Sequence, residues 1–421
     1  MEEVLISFLV MQAYQSVSWQ RFYQLCILLA AGCLTTMTGT IVAPIFPEML
    51  QQLQLEPQWA GLVVSMHSLT SALSTPVMGI LADRIGKSRV MIPCLIAYAV
   101  FGAATVLGES LPYLLITRGL LGAASGGITA AAIGILSSMY EGEARARILG
   151  YATSAMTVAT VICPLVGGWI GSWHWQYVFF LYGLGLPLAA IAIPNFVEQG
   201  IGNREQGIGN REQGIGNREA GVETDNPNQS LGKVLRDLNL LRLYLLLALV
   251  AVIVNAVVIY APVYLKTAIN AGPELNGMVL AIRAAGAALI SAVGASWLAK
   301  RLGEQRAIAL GFLLMALALI TLPWVTQLHL IILMAIGFGA GLGIILPNVF
   351  NAIAIIAPED FKASVLAIGT GFKSLGHFAS PLILGIVWKG IHLPAVFYTA
   401  AGIAIVASYV SLISLSYLKE Y

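Results

Sequence analysis

Residues 79–89 read Gly79-Ile80-Leu81-Ala82-Asp83-Arg84-Ile85-Gly86-Lys87-Ser88-Arg89. An apolar helix runs into this stretch and another runs out of it. Between them lie one carboxylate and the cations Arg84, Lys87 and Arg89, in a turn too short to be a domain. A polar turn between two hydrophobic spans belongs at a membrane surface. Its positive excess indicates the cytoplasmic surface, where Lys and Arg collect.

The rest of the chain agrees. Of 421 residues, 58% are hydrophobic and 10% charged, against about a quarter charged in a soluble protein. The apolar surplus faces lipid. Runs of about 20 apolar residues read as membrane helices, and they fall near 22–47, 58–82, 89–108, 112–138, 146–171, 174–194, 238–268, 274–299, 305–325, 328–357, 361–389 and 391–418. The expectation is an all-α membrane protein of twelve transmembrane helices. Its order is an N-terminal segment 1–21, a six-helix half 22–197, a polar linker 198–236 and a second six-helix half 237–421. With both termini cytoplasmic, seventeen of the 22 Lys and Arg fall on the inner side. Only Lys266 and Lys389 fall outside, and Arg118, Arg283 and Lys373 lie within spans. This places the chain as a multi-pass inner-membrane protein.

Several classes are excluded. A net charge of +2 implies no nucleic-acid partner. Cys26, Cys33, Cys94 and Cys163 sit in apolar spans at spacings that match no zinc or redox motif. No nucleophile–base pair, metal spacing or phosphate loop is present, so neither an enzyme nor a cofactor is expected. The start Met1-Glu2-Glu3 lacks the basic region of a secretory signal. Residues 4–20 read either as an interfacial amphipathic segment or as a leader to the first span.

The two halves repeat. Adding 217 carries Leu81, Ala82, Arg84 and Gly86 onto Leu298, Ala299, Arg301 and Gly303. The same offset carries Gly122 and Gly126 onto Gly339 and Gly343, and Pro164 and Gly168 onto Pro381 and Gly385. Asp83 has no acidic counterpart, because position 300 is Lys. In the linker, Glu198-Gln199-Gly200-Ile201-Gly202-Asn203-Arg204 recurs at 205–211 and 212–218. Two Gly per seven residues forbid a coiled coil, and the segment reads as a spacer.

The opening stretch resembles the signature loop between the second and third helices of the major facilitator superfamily, G-x-L-a-D-R-x-G-r-k. Gly79, Leu81, Ala82, Asp83, Arg84, Gly86 and Lys87 stand in register with it. The resemblance implies two six-helix halves in parallel relation that rock around a midplane site. It also implies a gate: Asp83 faces the start of the eleventh helix when the protein closes to the cytoplasm, braced by Arg84 and Arg89. The plain alternative is a topology anchor. In the fifth span, Gly150, Pro164, Gly167 and Gly168 resemble the pattern of the family's exporters and antiporters, with Ala159 and Cys163 replacing two glycines. The plain alternative there is a small-residue packing face. Leu114 to Gly122 resemble the fourth-helix motif whose arginine, here Arg118, the family ties to proton coupling or substrate contact. The alternative is an arginine that braces neighbouring helices.

At membrane depth the charges have one sign. Arg118, Arg283, Lys373, His67 and His377 lie inside spans, and every Asp and Glu lies at a span end or in a loop. An intramembrane charge is costly and functional by default. By the resemblance, all five fall on cavity-lining or flanking helices. Uncharged lining candidates are Thr36, Thr40, Asn255, Tyr260, Asn348 and Asn351. The expectation is a monomeric secondary active transporter of the drug and metabolite exporter branch, with a small organic anion or amphipath as substrate. Any coupled proton would ride on His67 or His377, since imidazole titrates near neutrality. An importer or uniporter of an anion stands as the alternative. A non-transporting receptor or scaffold is the alternative of another class.

Overall fold

The computed structural model describes residues 2–140, 142–196, 237–358 and 362–414, with side chains from Gln20 onward. The repeat at 198–218 and residues 359–361 lie outside the described residues. No strand occurs among the described residues; twelve long helical segments do. The first helix starts at Glu2 without a break and carries the first span, α1 (Gln20–Gln52). The other spans before the linker are α2 (Pro57–Ile85), α3 (Lys87–Leu107), α4 (Leu111–Met139), α5 (Gly142–Trp173) and α6 (Trp175–Phe196). After it come α7 (Leu238–Ile269), α8 (Pro273–Leu302), α9 (Glu304–Trp324), α10 (Leu328–Ile356), α11 (Lys362–Gly390) and α12 (Leu393–Ser414).

Ten of these are long and apolar enough to cross a membrane by composition. The two that are not, α2 and α11, have 29 residues each. Their polarity has a cause. Serines, threonines and one histidine stud each, and these two helices pack on one another across the halves. The halves also meet where α5 packs on α8, and where the end of α1 meets α7 and α8.

Backbone conformation explains the 217-residue offset. Gly86 ends α2 at φ 107° and Gly303 ends α8 at φ 84°, a region closed to most side chains. Both turns therefore need glycine. Inside the halves the matched glycines let helices touch. A Cβ on Gly122 would lie 2.6 Å from His67 Cα, and one on Gly339 would lie 3.0 Å from the Ala287 nitrogen. So α4 closes on α2 as α10 closes on α8.

Between the halves, one end of the bundle is shut. Lys266 of α7 pairs with Glu48 of α1 at 3.3 Å, and Lys389 of α11 with Glu56 at 3.9 Å. Ser172 donates to Glu274 at 2.9 Å, and the Asn276 amide to the Pro44 carbonyl at 3.3 Å. These four contacts all fall at the Glu48 end. Glycine sets the closeness there. A Cβ on Gly277 would lie 3.1 Å from Gly168 Cα, and one on Gly61 would lie 2.7 Å from Pro381 Cβ. Gly277 also lies against the Pro164 carbonyl, so the exporter-like face of α5 is the surface that meets α8.

The Asp83 end is the other end of the bundle. Asp83, Arg84 and Arg89 are exposed, and among the described residues Asp83 makes no ion pair. The expected bracing by Arg84 and Arg89 is therefore absent in this conformation. Lys87 donates instead to the Gly134 carbonyl at 2.9 Å, tying the turn to α4. Gly79 comes no closer than van der Waals contact with Ala130.

Candidate functional site

Lys373 and His377 lie one turn apart on α11, which packs on α2, the helix that carries His67. Arg283 stands on α8. His67 and Arg283 hold matching places ten residues into α2 and α8.

The two fixed cations are bare. Arg283 is 6% exposed, yet none of its nitrogens has a hydrogen bond or ion pair among the described residues, and its Nε is fully enclosed. Lys373 is half-buried, equally without a partner among the described residues. No carboxylate answers them: the carboxylates of α1, α2 and α8 are Glu48, Asp83 and Glu274 at helix ends, and α7, α10 and α11 have none. A buried cation without a counter-charge is costly.

His377 is held in place. The Asn255 amide nitrogen donates to the His377 carbonyl at 2.7 Å, and the Asn255 oxygen lies 2.9 Å from His377 Nδ1. Asn255 ends the regular part of α7, and residues 256–260 form a π turn just beyond it. Single π turns of this kind mark functional positions. On α2, His67 Nδ1 lies 2.7 Å from the Val64 carbonyl, and the Ser68 hydroxyl lies 3.3 Å from Nε2. The ring lies over Gly39, where a Cβ would come within 2.8 Å of Cε1.

Arg118 does not join this cluster. It is 0% exposed inside the first half. Its Nη1 donates to Tyr182 at 2.8 Å and to the Thr38 carbonyl at 3.3 Å. Its guanidinium carbon lies 5.0 Å from the Phe179 ring centroid and 5.6 Å from that of Tyr182. Here it braces α1, α4 and α6.

The uncharged candidates disperse. Asn351 is exposed and donates to Glu304 of α9, so it serves the Asp83 end of the second half, away from the cluster. Tyr260 is fully buried with its hydroxyl unpartnered, close to Gly61 and edge-on to Trp388, within the Glu48-end closure. Asn348 and Thr36 bond carbonyls of their own helices, Ile344 at 2.8 Å and Gly32 at 3.1 Å. Sequence reasoning missed the Asn255 clamp, the aromatic box around Arg118 and the Glu48–Lys266 pair. Only the last left a signal, since each residue is a lone charge at the same end of the bundle.

Comparison with known proteins agrees with this architecture. The Major Facilitator Superfamily matches residues 28–381 and 243–420. The multidrug transporter protein MdtP of Bacillus subtilis is 30% identical over 179 residues, covering 42% of this chain and 32% of that protein. The match thus spans about a third of that relative's own length. The multidrug resistance protein MdtG of Klebsiella pneumoniae is 24% identical over 91% of this chain and 92% of its own. Among solved structures, a bacterial homologue of the human lysosomal transporter Spinster, inward-facing and occupied, superposes with a TM-score of 0.72. It is 16% identical and covers 95% of this chain and 98% of that one.

Proposed function

This chain belongs to the major facilitator superfamily, a family of secondary membrane transporters rather than enzymes, and on that premise we propose that it exports a small organic anion or anionic amphipath. The observation that carries the reading is the bare pair Lys373 and Arg283, two fixed cations at membrane depth with no carboxylate among the described residues of the helices around them. The substrate's negative group binds between them, and the apolar walls take the remainder. Export rests on the relatives' names and on the α5 face that resembles exporters. The Asp83 end is cytoplasmic, as are both termini, and the described conformation is open to the cytoplasm. Alternation breaks the Glu48–Lys266 and Glu274–Ser172 contacts and brings Asp83 to the start of α11. The protein works as a monomer, and residues 198–236 are a spacer between two six-helix halves, 22–197 and 237–421.

The test uses labelled naphthalenesulfonate, whose charge is fixed across the pH range. Its initial rate of uptake into unenergised inside-out membrane vesicles should exceed that into right-side-out vesicles when the protein is present. Uptake confined to right-side-out vesicles makes the protein an importer. Protein-dependent uptake of a quaternary ammonium, with none of the sulfonate, makes it a carrier of cations.

A further inference from the structure

We propose that the cytoplasmic end of α8 binds one anionic phospholipid of the inner leaflet. Its phosphate sits on Lys300 and Arg301, its glycerol backbone against Trp297, and an acyl chain along Val293 and Leu289. The leaflet follows from the orientation given above; the site itself does not depend on it.

The stripe runs along one helix. Leu289 is 66% exposed, Val293 72% and Trp297 54%, and Lys300 and Arg301 are exposed beyond them. The residues by which α8 meets its neighbours are others: Gly277 lies against α5 and Ala287 against α10. At 3.6 residues per turn Leu289 points about 120° away from Gly277 and about 160° away from Ala287, so the stripe faces lipid. The π turn at 290–294 within it has no buried residue. From Leu289 to Arg301 the helix rises about 18 Å, close to one leaflet, whose hydrocarbon is about 15 Å thick. Apolar side chains, an indole and two cations thus follow one another in the order of acyl chain, interface and headgroup.

The cationic end is prepared for a phosphate. The Arg301 guanidinium carbon lies 4.4 Å from the Trp297 ring centroid. A guanidinium over a ring face keeps its N–H donors at its edge, where a phosphate can take two of them. Among the described residues Arg301 has no hydrogen bond or ion pair, and neither has Lys300. The carboxylate next along the chain, Glu304, accepts from Asn351. The first half lacks this arrangement. The 217-residue offset carries Ile80 onto Trp297 and Asp83 onto Lys300, so a phosphate at the first turn would meet a carboxylate and no indole.

The experiment places the full-length protein in phosphatidylcholine bilayers with a rising fraction of phosphatidylglycerol brominated in its acyl chains, which quenches tryptophan on contact. The chain has eight tryptophans, so the Trp297 signal is taken as wild type minus Trp297→Phe. Brominated phosphatidylglycerol should half-quench it at a mole fraction at least about threefold lower than brominated phosphatidylcholine does. Lys300→Gln combined with Arg301→Gln should remove that preference, and soluble glycerol phosphate should not displace the lipid. Native mass spectrometry of the wild type in detergent, which needs no variant, should retain phosphatidylglycerol over phosphatidylcholine by a similar factor. Equal quenching by the two lipids, or quenching by neither, overturns the site. A preference that survives the double substitution overturns it too, in favour of diffuse attraction to the whole cytoplasmic face. Displacement by glycerol phosphate would make it a site for free phosphate and not for lipid.

Discussion

Arg118 and Arg283 are both arginines in the membrane interior, and they have opposite surroundings. Arg118 has two hydrogen bonds, to Tyr182 and the Thr38 carbonyl, and two aromatic rings against its guanidinium. Arg283 has no hydrogen bond or ion pair among the described residues, and its Nε is fully enclosed. Arg118 still keeps Nε and Nη2 enclosed without a bond, as Arg283 keeps its Nε. What separates them is that Arg118 has a hydroxyl, a carbonyl and two rings around it, and Arg283 has no bond among the described residues.

The comparison breaks most visibly through stability. Arg118→Ala removes a charge-assisted hydrogen bond and a cation–π contact, together ~2–4 kcal/mol. Thermal unfolding in detergent should show the loss, while sulfonate affinity of the remaining folded protein changes by less than about threefold. An Arg118 variant of normal stability and lost affinity would place it in the site after all. Lys373→Gln should do the reverse, weakening sulfonate binding by more than tenfold, ~1.4 kcal/mol, without lowering the unfolding temperature.

Gly277→Val would sharpen the other contrast, between the Glu48 end and the Asp83 end. It forces side-chain atoms against Gly168 and the Pro164 carbonyl, at ~1–3 kcal/mol of overpacking. Spin-label distances at the Glu48 end should lengthen; unchanged distances would mean that the α5–α8 contact does not hold that end closed. Asp83→Asn acts at the opposite end and more weakly. It removes ~0.3–1 kcal/mol of attraction for the α11 start in the form closed to the cytoplasm. Distances across the Asp83 end should report a few-fold population shift, and no shift would leave the turn a topology anchor. Deleting two of the three linker repeats should change neither transport nor expression.

The fold was legible because membrane spans are long apolar runs and glycines cannot be swapped where helices touch. The 217-residue offset between Gly86 and Gly303, and between Gly122 and Gly339, is a record of backbone geometry. It located the halves before any coordinates did. The lack of a carboxylate deep in the spans was legible too, since a carboxylate missing from a span is missing from any face of it. The direction each side chain takes was not. Asn348 and Asn351 are one turn apart on α10, and only Asn348 points into the protein. Arg118 finds Phe179 and Tyr182 on α6, inside an unbroken apolar run that gives no cue to its partners. Rotation of a helix about its axis is set by packing with distant helices, which spacing along one helix does not encode.

The most direct measurement is a binding titration with three ligands of one shape and different charge: naphthalenesulfonate, its neutral sulfonamide and a naphthyl quaternary ammonium. Each is titrated into wild type, Lys373→Gln and Arg283→Gln. Bare cations predict that wild type prefers the sulfonate, that each substitution erodes that preference with Lys373→Gln the stronger, and that the sulfonamide hardly notices either. Preference for the ammonium in wild type, with Lys373→Gln neutral or favourable, would contradict the account.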